Sequence, residues 1–409
     1  MPRRFGIRFE EPRPAPTPAA FAGAFPATPG LYLHVPFCRA ICPFCPYNKV
    51  PYRDDRAALY MEHLEREVAM HLAVTPGPFP SLYVGGGTPT LCLDDLAALL
   101  ERLPVAGERA IEVLPTHMTA EGARRIREAG FDYVSLGVQS FDPAVLTRLR
   151  RPGSPATSRS AIATALGSFS CVDVDLIFDA GYDDPQVLLA DLDECFGAGV
   201  DQVSTYPLMR FGYTPFGKGE HRRRREHALL RQAAALAETK GYERRSVWTF
   251  NRVGSPAYTS ITRPYFLGVG AGAATFAGSF FAVNHFGLNQ YGQALERGEL
   301  PVARVARLPT PAAAVYRLFW QAYTGAIPLD ADDVLLAHPV AHALRGSARA
   351  LGWSQRSATE DRLTASGYDR YHDLERWVTY HLIEPLWAEM MHEHDVPETA
   401  PLHKGGVPG

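Results

Sequence analysis

The stretch LYLHVPFCRAICPFC, residues 31–45, decides the fold and the chemistry of this 409-residue chain. Its first five residues form a short apolar run of β-forming side chains, which predicts a strand. The following Cys38, Cys42 and Cys45 lie close enough together for one loop to surround a metal cluster. Three thiolates would ligate three irons of a four-iron, four-sulfur cluster, and the fourth iron would keep the open position that a catalytic metal needs. Zinc with a distant fourth ligand such as His34, or three buried cysteines without a metal, are the alternative interpretations.

Outward from this loop, predicted strands alternate with predicted helices. The alternation indicates a parallel sheet with crossover helices, and the number of units favours a full or partial βα barrel within an α/β fold. The predicted strands are residues 31–35, 81–84, 110–114, 133–138, 171–178, 201–208 and 242–250. The predicted helices are residues 56–72, 93–103, 119–129, 142–150, 155–167, 185–197 and 220–240, with Thr119 as an N-cap and Gly130 as a helix stop.

The pattern changes after about residue 300, where 311–325 and 369–394 are predicted to be helical. Three prolines between residues 301 and 311 indicate a boundary nearby. We therefore expect three parts. They are a loose Pro- and Ala-rich lead-in (1–29), a barrel domain (30–300) and a smaller, mostly helical C-terminal domain (301–409).

Composition limits the classes of protein that this chain can be. Hydrophobic residues make up 46% and charged residues 21%, which is typical of a globular protein with a large core. The net charge of -3 gives no reason to expect a nucleic-acid partner. No apolar run approaches the roughly 20 residues needed to cross a bilayer. The N-terminus lacks an apolar signal core, and Glu10 and Glu11 argue against a transit peptide.

The six cysteines do not suggest a disulfide framework. Three crowd into the loop, whereas Cys92, Cys171 and Cys195 are scattered and are predicted to be buried apolar residues. Crowding of this kind indicates a metal or cluster site in a reducing compartment. We therefore expect the protein to be cytoplasmic.

Polar residues lie at the ends of several predicted strands. Gly85–Gly87, followed by Thr88 and Pro89, comes directly after a strand, where backbone can approach a ligand closely or simply make a tight turn. Glu112 and Gln139 lie near the ends of the next two strands, and Asp173 and Asp175 share one face of VDVDLIF (172–178). These buried carboxylates predict either a salt bridge, for example with Arg151, or a polar ligand at the barrel mouth.

Taken together, these segments resemble the radical S-adenosylmethionine (SAM) family of oxygen-independent coproporphyrinogen oxidases and heme chaperones, the HemN-like group. The resemblance covers roughly residues 30–390. It rests on YLHVPFC (32–38), YVGGGTPT (83–90), IEVLP (111–115), VSLGVQSF (134–141), VDLI (174–177), YPL (206–208), FLGVGAGA (266–273) and LTASG (363–367) with Tyr371 and His372.

The resemblance implies a set of site residues. Cys38, Cys42 and Cys45 would ligate the 4Fe-4S cluster, and the amino and carboxylate groups of SAM would chelate the open iron. The residues implied for SAM binding are Gly86, Gly87, Thr88, Glu112, Gln139, Arg151 and Asp175, with Tyr32 nearby. Among these, Tyr32, Glu112 and Gln139 are the candidates for catalytic side chains.

The resemblance also implies the chemistry and its partners. One electron from the reduced cluster would cleave SAM to methionine and a 5′-deoxyadenosyl radical. One or two SAM molecules would bind. The substrate would be a small molecule, with a tetrapyrrole as one candidate, and a flavodoxin- or ferredoxin-type protein would donate electrons.

The chain departs from the family at four places. Tyr47 occupies the position of a further cysteine of the oxidases, and Tyr258–Arg263 replaces a His-Asn pair and aromatic run of the chaperones. Ala274-Thr275 stands in place of a His-Ser pair, and Phe178–Gly181 in place of Gly-Leu-Pro. These departures keep three interpretations open. They are oxidative decarboxylation or a related oxidation, methyl or methylene transfer from a second SAM by a methyltransferase or cyclopropanase, and heme delivery by a chaperone.

Overall fold

The computed structural model describes residues 7–75, 77–180, 186–217, 223–256, 263–329 and 332–393. Its strands are β1 (Gly30–Val35), β2 (Phe37–Cys38), β3 (Val50–Pro51), β4 (Leu82–Gly86), β5 (Arg109–Val113), β6 (Tyr133–Gln139), β7 (Cys171–Phe178), β8 (Gln202–Pro207), β9 (Tyr242–Arg244), β10 (Thr249–Arg252), β11 (Phe266–Val269), β12 (Ala274–Phe276), β13 (Phe280–Asn284), β14 (Val302–Arg307), β15 (Ala326–Pro328), β16 (Ser354–Arg356) and β17 (Glu360–Leu363).

The helices alternate with the strands as far as β8 and dominate the C-terminal part. They are α1 (Pro18–Ala22), α2 (Asp54–Leu72), α3 (Leu93–Leu100), α4 (Ala120–Glu128), α5 (Pro143–Arg148), α6 (Pro155–Leu166), α7 (Gln186–Ala198), α8 (Arg223–Thr239), α9 (Leu288–Glu296), α10 (Thr310–Tyr323), α11 (Pro339–Ala350), α12 (Ala365–Val378) and α13 (Glu384–Met391), with a π-turn at Thr379–Ile383 between the last two. Across the described ranges, none of these helices combines the length and apolarity of a membrane span.

One large sheet organises the molecule. Its order is β14-β13-β12-β11-β1-β4-β5-β6-β7-β8-β10-β9, and the pairs from β11 to β8 are parallel. In the described residues the sheet ends at β14 on one side and β9 on the other, and these two strands do not pair to close a barrel. The predicted α/β architecture is therefore confirmed, in the form of a partial barrel. Parallel strands covered by crossover helices are buried on both faces, which explains the nearly continuous apolar runs such as Cys171–Phe178.

Local sequence signals set several element boundaries. The Thr119 hydroxyl accepts a hydrogen bond from the Gly122 N–H at 3.0 Å and caps α4 as predicted. Gly130 has a φ of +91° just after this helix, a conformation that favours glycine. The predicted N-cap and stop are therefore both confirmed.

Two predicted elements are wrong in detail. The single strand predicted over 242–250 is an antiparallel pair, β9 and β10, because the chain turns between them with the Arg245 N–H bonded to the Thr249 carbonyl at 3.0 Å. The helix predicted over 369–394 begins earlier, at Ala365, and is interrupted by the π-turn. Pro385 lacks the N–H that a continuous helix would need there, which explains the interruption.

The parts on either side of the barrel are tied into its sheet. The sheet continues to Arg307, past the boundary predicted near residue 300, because β14 pairs with β13. In the predicted lead-in, Glu10 bridges to Val305 and the Phe21 ring lies 4.9 Å from that of Phe280. The lead-in is thus ordered against the sheet over its described part. The C-terminal part carries the small sheet β15-β17-β16 among helices α10 to α13, and α12 packs against α8.

Candidate functional site

The cysteine loop lies at the carboxyl edge of β1, where parallel βα folds place their chemistry. Two residues from other loops, one after β4 and one after α5, contact its thiols. The Thr88 hydroxyl donates to the Cys38 sulfur at 3.6 Å, and the Arg151 guanidinium lies 3.7 Å from the Cys42 sulfur. Phe44 anchors the loop against an apolar cluster that includes Val145, Leu149, Ala180 and Leu208.

The three thiols of the loop are the donor set that an iron–sulfur cluster takes. Among the described residues, no group of three or more His, Cys, Asp or Glu side chains is arranged to hold one metal ion. A cubane cluster spreads three ligands over three separate irons, so its thiolates need not converge on one point. Burial raises the pKa of Cys38 to about 11, and it also raises the pKa of Cys45. A bound metal would supply the positive charge that deprotonates such thiols.

His34, the alternative zinc ligand, is committed to the protein. Its Nε2 lies 2.9 Å from the Asn48 carbonyl oxygen and its Nδ1 lies 2.8 Å from the Tyr32 hydroxyl. Burial lowers the pKa of His34 to about 4, so the neutral ring donates from Nε2 and accepts from the Tyr32 phenol. Neither nitrogen retains a lone pair for a metal, which argues against the zinc interpretation.

The glycine turn at the end of β4 lets this strand approach the cysteine loop closely. Gly86 has a φ of +117°, and a Cβ there would lie 2.7 Å from the His34 ring. A Cβ at Gly87 would lie 2.6 Å from the Phe37 carbonyl oxygen, beside Cys38. Side chains at these positions would push the loop away, so the glycines already have a structural role without any ligand.

Two carboxylates, from β5 and from β7 on the other side of β6, influence each other electrostatically. Glu112 accepts hydrogen bonds from the Tyr83 hydroxyl at 2.6 Å and from the Gly86 N–H at 3.0 Å. Burial, and next the charge of Asp175, raise the pKa of Glu112 to about 8. Asp175 accepts a hydrogen bond from the Ser135 hydroxyl at 2.6 Å, and burial raises its pKa as well. Groups with perturbed pKa values gathered at a strand edge are typical of functional sites.

Arg151 lies between the cysteine loop and these acids. Its guanidinium donates twice to the Gly137 carbonyl oxygen, and its positive charge offsets part of the rise that burial causes in the pKa of Asp175. Within the described chain Arg151 forms no ion pair with Asp173 or Asp175, so the salt bridge considered from the sequence is not formed. Asp173 instead accepts a hydrogen bond from the Ser204 hydroxyl at 3.0 Å.

Gln139 ends β6 in an unusual backbone conformation. Its φ of +74° is rare for a residue with a side chain, and the register of β6 against β7 shifts between Leu136 and Gln139. Such a conformation costs about 1–3 kcal/mol and often accompanies a functional constraint. The structure therefore brings Tyr32, the glycine turn, Glu112, Arg151 and Asp175 around the cysteine loop, with Gln139 beside Arg151 through Gly137. Their predicted roles toward SAM remain predictions.

Sequence reasoning missed two residues of this region. Tyr47 entered only as a departure from the family, yet burial, and after it the charges of Glu112, Cys45, Asp175 and Glu375, raise the pKa of its phenol. Glu375 comes from α12, and only its place on the buried face of an amphipathic helix could have signalled it. Predictions concerning residues 1–6, Gly181, 258–262 and 394–409 fall outside the described residues.

Comparison with known proteins agrees with this geometry. Residues 32–188 match the family model of the Radical SAM superfamily. A heme chaperone HemW of Mycobacterium tuberculosis is 34% identical over 213 residues, which cover 48% of this chain and 54% of the relative. An oxygen-independent coproporphyrinogen III oxidase of Pseudomonas aeruginosa is 28% identical over 310 residues, or 67% of each chain. The match thus spans about half the length of the mycobacterial relative.

A solved structure described as coproporphyrinogen III oxidase (HemN) from Escherichia coli, a radical SAM enzyme, superposes with a TM-score of 0.74 at 21% identity, covering 87% of this chain and 92% of that one. This similarity supports the fold. Residues 32–188 therefore resemble the radical SAM superfamily, a family that implies a 4Fe-4S cluster and SAM. Within that superfamily its relatives are those of the HemN-like group.

Proposed function

We propose that this chain is an enzyme that cleaves SAM reductively at a 4Fe-4S cluster and oxidises a small organic substrate, in the manner of the coproporphyrinogen oxidases. The contact of Thr88 and Arg151 with the cysteine thiols, at the strand edge that also carries Glu112 and Asp175, is the observation that carries this proposal. When bound, the cluster and SAM together supply a 5′-deoxyadenosyl radical, which is the reactive species of this chemistry.

The side chains have distinct proposed roles in holding the cofactors. Cys38, Cys42 and Cys45 would hold the cluster, and Arg151 would place a fixed positive charge beside the Cys42 thiolate. Gly86, Gly87 and Thr88 would let the turn meet the methionine end of SAM. Glu112 uses one lone pair on each oxygen for Tyr83 and Gly86, and its remaining lone pairs would accept from polar groups of SAM.

The remaining predicted contacts would act from the neighbouring strands. Asp175 and Gln139 would bind further polar groups of SAM, and Tyr32 would orient His34 behind the loop. We further propose a tetrapyrrole as substrate and a flavodoxin- or ferredoxin-type protein as electron donor. The reducing cytoplasm is the proposed compartment, since the loop thiols must stay reduced to hold the cluster.

The 34% identity to a heme chaperone favours heme delivery as a second candidate function. Methyl or methylene transfer from a second SAM remains the third, because the chain keeps the radical motifs but departs from the patterns of oxidases and chaperones. These candidates differ in products. Transfer would release S-adenosylhomocysteine with 5′-deoxyadenosine, whereas delivery would require heme binding without substrate turnover.

The test is anaerobic reconstitution with iron and sulfide, reduction, addition of SAM, and quantification of both nucleosides by mass spectrometry. The Cys42→Ala variant should lose 5′-deoxyadenosine formation. The matched Cys92→Ala variant, in which a buried cysteine outside the loop is removed, should retain it. Equal loss in both variants, or no 5′-deoxyadenosine from wild-type protein with an intact cluster, would refute the radical function. A Soret band on heme titration would then support delivery.

A further inference from the structure

The cysteine loop has an outer face that the described part of the chain leaves uncovered. Arg39, Ala40 and Ile41, the residues between the first two cysteines, are exposed, and Ile41 keeps 45% of its surface accessible. Arg39 follows Cys38 directly in the chain, and consecutive Cα atoms lie about 3.8 Å apart. A protein that contacts this face therefore comes close to a predicted cluster ligand.

Three further segments border this face, one after β4, one after β5 and one after α5. The Thr90 hydroxyl, after β4, lies 2.6 Å from Nδ1 of His117, after β5. A Cβ at Gly153, after α5, would lie 3.2 Å from the side chain of Thr116. The segment after α5 returns to the loop through the contact of Arg151 with the second cysteine. Together with the loop, these segments form the loop rim, residues 37–53, 86–93, 113–120 and 143–153.

The loop rim is cationic. It contains six Lys and Arg residues and no Asp or Glu, although the whole chain has a net charge of -3. Arg53 pairs with Asp55 of α2, and Arg151 is directed inward to the thiols. Arg39 and Arg150 are exposed and form no ion pair with any residue that the structure describes. Uncompensated charge of one sign attracts a partner whose surface has the opposite sign.

Arg150 also has an unusual backbone conformation. The Arg150 N–H donates to the Thr147 carbonyl at 3.1 Å and the Arg151 N–H donates to the Leu146 carbonyl at 2.9 Å, which is the Schellman pattern at a helix end. Arg150 therefore occupies the left-handed position that helices usually give to glycine, with a φ of +49°. No ion pair in the described chain offsets the conformational cost of an arginine there. A role in binding accounts for this arginine better than a role in folding.

We propose that the loop rim is the docking surface for an acidic protein that carries a flavin and delivers one electron to the predicted cluster. Arg39 and Arg150 would pair with carboxylates of this carrier, and the exposed Ile41 favours a redox group with an apolar edge, as a flavin has. The carrier would lose one electron and the cluster would gain it, with no atom transferred. This inference rests on the proposed function and specifies the surface that receives its electron donor.

The experiment measures the binding of a purified acidic flavodoxin to the reconstituted full-length protein by calorimetry, at low and at high salt. Arg150→Gly removes the charge and relieves the left-handed backbone, so the Kd should rise about fivefold at low salt while the melting temperature does not fall. Arg150→Lys keeps the charge and should bind as the wild type does. The difference between Arg150→Gly and the wild type should shrink at high salt, because salt screens exposed charges. Adding Arg39→Ala to Arg150→Gly should weaken binding further.

The matched control is Arg307→Ala, which should bind flavodoxin as the wild type does. Arg307 is exposed at the end of β14, the outermost strand of the sheet, and forms no ion pair within the described chain. Equal affinity in Arg150→Gly and the wild type, an equal loss in Arg307→Ala, or wild-type protein that binds a ferredoxin but no flavodoxin would overturn the inference. Dithionite is a small reductant that needs no docking surface. Its failure to drive 5′-deoxyadenosine formation in wild-type protein with an intact cluster would refute the proposed function instead.

Discussion

The Gly87→Ala substitution tests most directly whether the glycine turn shapes the cysteine loop. The added Cβ would lie 2.6 Å from the Phe37 carbonyl oxygen and 2.7 Å from the Pro36 carbonyl carbon. Reaching the 3.4 Å at which ordinary contacts begin requires a displacement of about 0.8 Å. The hydrogen bond from the Gly87 N–H to the Val35 carbonyl, 2.8 Å long, resists movement of the turn, so the cysteine loop must move instead.

Overpacking of this kind costs about 1–3 kcal/mol in the free energy of unfolding. A shift approaching 1 Å in catalytic geometry lowers the rate on the order of 100-fold. We therefore expect Gly87→Ala to lose bound iron and about 99% of 5′-deoxyadenosine formation, with a modest fall in melting temperature. The control is Gly197→Ala in α7, where a Cβ meets no atom within 4 Å and wild-type activity is expected. Wild-type iron content and SAM cleavage in Gly87→Ala would refute the steric reasoning.

Three further predictions concern the surroundings of the site. Replacing His34 by Phe should lower stability by about 1–3 kcal/mol in denaturant unfolding, because it leaves the Asn48 carbonyl and the Tyr32 hydroxyl without their ring partners; unchanged stability would contradict the assigned hydrogen bonds. Burial raises the pKa of Glu67 from 4.5 to about 7, so its contribution to stability is present below pH 4.5 and is lost as the pH rises to 7. The melting temperature of a Glu67→Gln variant should therefore change less between pH 4.5 and 7 than that of the wild type. Equal changes in the two proteins would count against this assignment. Replacing the buried Cys171 by Ala should leave iron content unchanged and cost about 1 kcal/mol in thermal unfolding, whereas loss of iron would implicate it in the cluster.

Much of the barrel was predictable because its signals are local. Strand β7 has the predicted bounds, and α4 has the predicted cap and stop, since an apolar run and a Thr N-cap act over a few residues. The hairpin of β9 and β10 was missed because its turn, at residues 245–248, lacks a Gly or Pro signal. The ordered packing of the lead-in was missed for another reason, since its β-bridge partner Val305 lies far away in the chain.

The sequence by itself determined the cysteine loop, the glycine turn and the resemblance to the radical SAM family, because each is a short pattern of residues at fixed spacing. Tertiary structure alone decided that Thr88 and Arg151 meet the thiols, since these contacts join segments brought together by parallel pairing. It also decided that His34 is a structural hydrogen-bonding group and that Arg151 forms no ion pair with Asp173 or Asp175 in the described chain. These contacts depend on how distant segments of the chain pack together, and no local pattern of residues encodes such packing.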